Sequence, residues 1–172
     1  MTISTRKFIT RMAVVLLSSS PLLASAASTG YKMALIDNAP GAEYIQAGQY
    51  DKAIASAQAP LQADTELFYG QVSLCVAYSR MNELALAATA CDNAVFRAAT
   101  LKAVTGSAKR EMRALALNNR GVIKLLAGDK VAALQDFMLA VRLNDSALTA
   151  ANLERLTFSI NEGQEIAMQT AE

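Results

Sequence analysis

The chain contains no histidine and no tryptophan. Without histidine it lacks the commonest general base at neutral pH and the commonest zinc ligand. Its two cysteines cannot by themselves supply a four-ligand metal site. No GxSxG, P-loop or GxGxxG motif is found, so none of the usual signatures of hydrolase, nucleotide or dinucleotide chemistry is present. The reading is therefore non-catalytic, with no cofactor and no metal. Charge of either sign is scarce: 16 basic against 15 acidic residues. That balance offers no concentrated basic face for nucleic acid and no polybasic patch for a membrane surface.

One apolar stretch stands out, at residues 12–23, and it is short of the roughly 20 residues a transmembrane helix needs. It contains three serines and Pro21, follows Arg6, Lys7 and Arg11, and precedes Ala24-Ser25-Ala26. Positive segment, apolar segment and small-residue site in that order are the pattern of a secretory signal peptide. Residues 1–26 are expected to be removed, with cleavage after Ala26 or Ala27. No cysteine follows the site, so the pattern is not a lipoprotein's. Arg6-Lys7-Phe8 echoes a twin-arginine signal without its second arginine, and a general-secretion signal fits better. The signal carries three basic and no acidic residues, which leaves 13 basic and 15 acidic residues beyond it. The expected location is periplasmic or secreted, with no stable membrane insertion after cleavage.

The remaining length suits a single domain, and within it a pattern recurs. Around Gly128, Gly121 stands seven residues earlier, and Ala133, Phe137 and Ala140 stand five, nine and twelve later. Around Asn82 the corresponding residues are Cys75, Ala87, Cys91 and Ala94, with Tyr78 four before the turn. Around Gly48 they are Gly41, Tyr44, Tyr50 and Ala53. The first two turns are 34 residues apart, and the last two are 46 apart, one period plus twelve. Each turn needs a backbone with positive φ, which glycine adopts freely and asparagine tolerates. Asp129 suits the N-cap of the following helix. Leu117, Val122, Leu125, Leu134, Phe137 and Val141 recur at steps that give helices an apolar stripe. Gly121 with Ala133, and Gly41 with Ala53, are placed to let paired helices approach closely.

This pattern resembles the tetratricopeptide repeat (TPR) family, whose 34-residue unit is a helix hairpin with glycine at the turn and alanine five residues on. Asn119-Arg120-Gly121, Gly128-Asp129, Ala133, Phe137, Ala140, Leu143 and Asp145 carry the clearest match, and the likeness spans about residues 38–146. The resemblance implies an all-α fold, a right-handed superhelical array of antiparallel helix hairpins (a TPR-like α-solenoid) closed by a C-terminal capping helix. The expected divisions are an N-terminal extension at 27–37 and a helical domain at 38–160. Its units fall at about 38–60, 68–100 and 114–145, its capping helix at 146–160, and a flexible tail at 161–172. Asn38 is expected to cap a first helix of about nine residues, with Pro40 in its first turn. Pro60 ends its partner helix. Residues 31–37 are extended or a short helix. Gly106 and Ser107 break the pattern inside the 12-residue insertion and start a helix from about Ala108 to Leu126. Lys102, Lys109, Arg110 and Arg113 in that insertion suit either an acidic partner or phospholipid, or a solvated loop and helix start, the reading preferred here.

The resemblance also assigns positions. Cys75 and Cys91 fall opposite each other on the two helices of the second unit, so a disulfide is expected, worth about 3 kcal/mol in the chain-entropy model. Two buried free thiols are the alternative. The family's ligands lie on the concave side as peptides or helices. Its lining positions map to Tyr69, Val72, Val76, Ser79 and Arg80 in the second unit. In the third they map to Leu115, Asn118, Val122, Leu125 and Leu126, and in the first to Leu35, Asn38, Ala42 and Ile45. Asn118 and Asn119 are placed to hydrogen-bond a peptide backbone. The apolar part of this face is covered by the fold itself, by a second copy, or by a partner. The leading expectation is an exported protein–protein interaction module with a protein or peptide partner. The alternative is a homo-oligomer, possible as a two-fold dimer through the apolar face. An enzyme accessory role, resting on a pair such as Arg80 and Glu83, is the least favoured.

Overall fold

A computed structural model describes residues 30–102 and 104–169, with side chains described as far as residue 163. The expected signal peptide lies outside the described residues. Seven α-helices and no strand are found among the described residues: α1 Ala42–Gln46, α2 Tyr50–Ala57, α3 Asp64–Arg80, α4 Leu84–Thr100, α5 Gly106–Leu126, α6 Lys130–Leu143 and α7 Ala147–Gln169. The chain is all-α. Among the described residues no helix is long and apolar enough to cross a membrane.

Each helix packs on the next in sequence. Beyond that, α1 touches α3, α3 touches α5 and α5 touches α7, while the even-numbered helices make no such contacts with one another. The odd helices therefore form one layer and the even helices a second layer behind it. Hairpins α3–α4 and α5–α6 turn at Asn82, φ 62°, and Gly128, φ 88°. Gly48, φ 72°, turns α1 into α2. At all three the backbone lies in the left-handed region that the sequence pattern called for. The Asp129 carboxylate accepts from the Ala132 N–H at 2.9 Å and caps α6. Thr105 caps α5 through Ala108 N–H, starting that helix two residues before the expected Ala108. Glu66 reaches back to the N–H groups of Gln62 and Ala63 at the start of α3.

The small residues do as their size suggests. A methyl on Gly121 would come within 2.6 Å of Phe137 Cε1, so the ring of Phe137 occupies the space that glycine leaves. Ala133, the other small residue of this hairpin, is fully buried. At the same hairpin height in α3 and α4, Cys75 and Cys91 stand at disulfide distance, Cα atoms 5.1 Å apart, both fully buried. That separation is within the range a disulfide spans.

The two ends of the helical fold depart from expectation. Helix α1 has five residues rather than about nine, because Gly41 at φ 84° cannot belong to it. A methyl on Gly41 would come within 3.0 Å of Ala53 Cα, so the close approach of α2 holds that conformation. Asn38, φ 61°, and Pro40 lie in the turn before α1, and Asn38 does not cap it. At the other end α7 continues through Asn161-Glu162-Gly163 to Gln169, where a stop at about Ile160 was expected. Glycine inside a helix costs only about 1 kcal/mol relative to alanine, and no proline follows to end it.

Charge stitches three helices across the two layers. Arg120 of α5 grips the buried Asp136 of α6 with two bonds, Nε–Oδ2 2.8 Å and Nη2–Oδ1 2.7 Å. It also meets Asp92 of α4 at 3.1 Å, and Lys124 meets Asp136 at 2.8 Å. The hydrogen bond to Asp136 raises the Arg120 pKa further above its already high ordinary value. Lys109 of the basic cluster donates to the Leu101 carbonyl at 2.8 Å, closing the C-terminal end of α4.

Candidate functional site

The odd-helix layer, α3, α5 and α7, is where the sequence placed its binding face. Val72, Val76, Asn118 and Val122 are all at most 3 % exposed. Tyr69, Leu115 and Leu125 are half-buried, and Arg80 is exposed. What covers this face is the chain itself. Residues 31–36, without regular secondary structure, cross the layer from α7 to α3.

Asparagine amides hold this arm. Asn119 accepts from the Ala34 N–H at 2.6 Å and donates to the Ala34 carbonyl at 2.8 Å. Asn152 of α7 does the same to Lys32, accepting from its N–H at 3.0 Å and donating to its carbonyl at 2.7 Å. Asn118 adds a bond to the Lys32 carbonyl at 3.0 Å and accepts from Asn152 at 2.8 Å. In extended chain the N–H and C=O of one residue point to the same edge, and residues two apart share that edge. A side-chain amide carries one donor face and one acceptor face, so it pairs with such a residue as a neighbouring strand would. All three asparagines are buried, at most 2 % exposed. Their pairing with the arm satisfies polar groups that would otherwise be stranded in the core.

The side chains of the arm are read separately. Tyr31 stacks on Phe137, ring centroids 6.1 Å apart and planes 8° apart, beside Val122 and Leu156. The Arg155 guanidinium lies 5.9 Å from the centre of the Tyr31 ring. Burial pushes the Tyr31 phenol above its ordinary pKa, and the Arg155 charge partly opposes this. Met33 reaches three clusters, around Leu74 and Ile123, around Val76 and Ala77, and around Phe137. Leu35 packs on Ile45 and Val76, and Ile36 on Phe68 and Val72. Lys32 points to solvent. Past Ile36 the groove stays open as a pocket of about 230 Å³ whose walls include Tyr69, Met112 and Leu115.

The structure thus brings Val72, Val76, Asn118, Asn119 and Val122 together under the arm, with Tyr69 and Leu115 at its open end. Leu125 packs with Val122 and Phe137. Arg80 and Glu83 are both exposed and form no ion pair with each other among the described residues. Leu35, assigned to a helix face of the first unit, belongs to the arm instead. Asn152 was missed, although it stands 34 residues after Asn118; carrying the repeat period into the last helix would have found it. The arm was missed as an occupant because its hydrogen-bond partners lie 85 to 120 residues away in sequence. Among the described residues no group of three or more Cys, Asp or Glu side chains is placed to hold a metal ion. Comparison with protein-family models, with curated proteins and with solved structures gave no match.

Proposed function

We propose that this chain is an exported, non-catalytic protein-interaction module, a TPR-like array whose inner helical face binds an extended polypeptide. One observation carries the reading: Asn119 and Asn152 each pair with both backbone groups of one residue of an extended segment. That is recognition of chain as chain, with side-chain specificity left to the apolar slots beside it. The array geometry is supported by the alternating contacts of α1, α3, α5 and α7 and by the 34-residue spacing of Asn118 and Asn152. Export, to a periplasmic or secreted location, is supported by the signal-like order of residues 1–26 and by a cysteine pair at disulfide distance.

The test is photo-cross-linking in cells from Tyr69 and Leu115, the half-buried positions at the open end of the groove. Cross-links to a different protein, identified by mass spectrometry, are expected. Cross-links between copies of this chain would favour the homo-oligomer reading instead. Cross-links confined within one chain would sink both.

A further inference from the structure

We infer that residues 31–36 are a built-in competitor, and that the groove's true occupant is an extended segment from another polypeptide that displaces them. This rests on the reading of the groove as a chain-binding site. The arm itself specifies the occupant's chemistry. The position of Tyr31 takes an aromatic ring against Phe137, and that of Met33 a long flexible aliphatic. Ala34, 6 % exposed and tied on both backbone groups by Asn119, requires a small residue. The next two positions are aliphatic. The occupant therefore reads aromatic, any residue, aliphatic, small, aliphatic, aliphatic.

Tethering gives the arm an advantage. A short linker holds a segment at millimolar effective concentration, so an equal segment in solution at micromolar levels does not displace it. The occupant needs contacts that the arm cannot make, and the fold provides a place for them. After Ile36 the arm must leave the groove through Asn38, φ 61°, and Gly41, φ 84°, to enter α1. Ile36 itself lines the pocket of about 230 Å³ whose walls also include Tyr69, Met112 and Leu115. A segment in trans has no such turn to make, and it can place one more apolar side chain there.

The probe is a fluorescein-labelled synthetic peptide, Gly-Tyr-Lys-Met-Ala-Leu-Ile-Ala-Leu, compared with a version ending at Ile. Each is titrated by anisotropy into the full chain and into the same chain carrying Tyr31→Ala with Met33→Ala. Because apparent affinity scales with the fraction of open groove, the long probe is expected to bind the double variant at least about 10-fold tighter than the native chain. The long probe is also expected to bind tighter than the short one, and Leu115→Gln is expected to abolish that difference. Equal affinity for native and variant chains would remove the arm as competitor and leave the groove a peptide site. No binding to a folded variant would remove both ideas. Where the variant does not fold, hydrogen exchange on the native chain decides. Saturating long probe should speed exchange at the Lys32 and Ala34 amides, and unchanged exchange there overturns the proposal.

Discussion

A single asparagine shows how much of this molecule depends on side-chain amides. Asn119 satisfies the N–H and the C=O of Ala34, and it is buried with them. Asn119→Ala strands both groups. At about 1–3 kcal/mol for each buried unpaired group, the loss should be about 2–6 kcal/mol, read as a lower urea midpoint. A change under about 0.5 kcal/mol would mean that the arm does not rest on Asn119. Tyr31 offers a second check at this scale. Its folded pKa is raised, so the stability it contributes is present below pH 10 and is lost as pH rises through the folded value. Subtracting the ultraviolet titration of Tyr31→Phe from that of the native chain should place Tyr31 ionisation above pH 10. A difference curve centred at or below 10 would contradict the burial of Tyr31. Asn118 and Asn119 were read in the sequence as amides placed to bond a peptide backbone, and in the structure the backbone they bond is the chain's own. Asn152 was not so read, since the position 34 residues after Gly128 is Glu162 and not a turn glycine.

Between elements, one pair of positions is solved in two ways. Hairpin α5–α6 sets glycine against an aromatic ring at Gly121 and Phe137, and hairpin α3–α4 sets cysteine against cysteine at the same height. Gly121→Ala inserts a methyl 2.6 Å from the Phe137 ring edge. The ring is fully buried, so overpacking of about 1–3 kcal/mol is expected in thermal unfolding. A neutral Gly121→Ala would show that the hairpin can spread. Reducing the cysteine pair, separated by 16 positions, should cost about 3 kcal/mol. The intact chain should gain two hydrogens in mass on reduction, and no gain would mean free thiols. These hairpins were readable from the sequence because local rules fix them: positive φ at Gly48, Asn82 and Gly128, and small residues where helices touch. The ends were read less well for the same reason. The shortness of α1 follows from the approach of Ala53 to Gly41, a tertiary contact. At Gly163 a local stop signal is overridden by the continuing helix.

For the whole molecule, the arm is the part that links otherwise separate apolar clusters into one core. Tyr31, Met33, Leu35 and Ile36 touch four of the chain's apolar clusters, and Met33 alone joins three of them. No local pattern announces this, because alternating apolar residues before a turn look the same whether they cover a distant groove or wave in solvent. Full burial of one such side chain is worth about 1.5–3 kcal/mol, and these four are only half-buried, so together they contribute on the order of 3–6 kcal/mol. A domain of this size has a net stability of about 5–15 kcal/mol. A chain beginning at Asp37 should therefore sit near the edge of folding, with its melting midpoint far below that of the intact chain. Its inner face, with Val72, Val76 and Val122 uncovered, should drive self-association that sedimentation detects at micromolar concentration. Supplying the peptide Gly-Tyr-Lys-Met-Ala-Leu-Ile in trans should raise the midpoint with the logarithm of peptide concentration and return the chain to a monomer, as mass action requires of a ligand for the folded state. If the shortened chain melts with the intact one, the arm lies on the fold without supporting it. If it melts lower but the peptide rescues nothing, the arm's worth lies in its covalent connection to α1 and not in the groove.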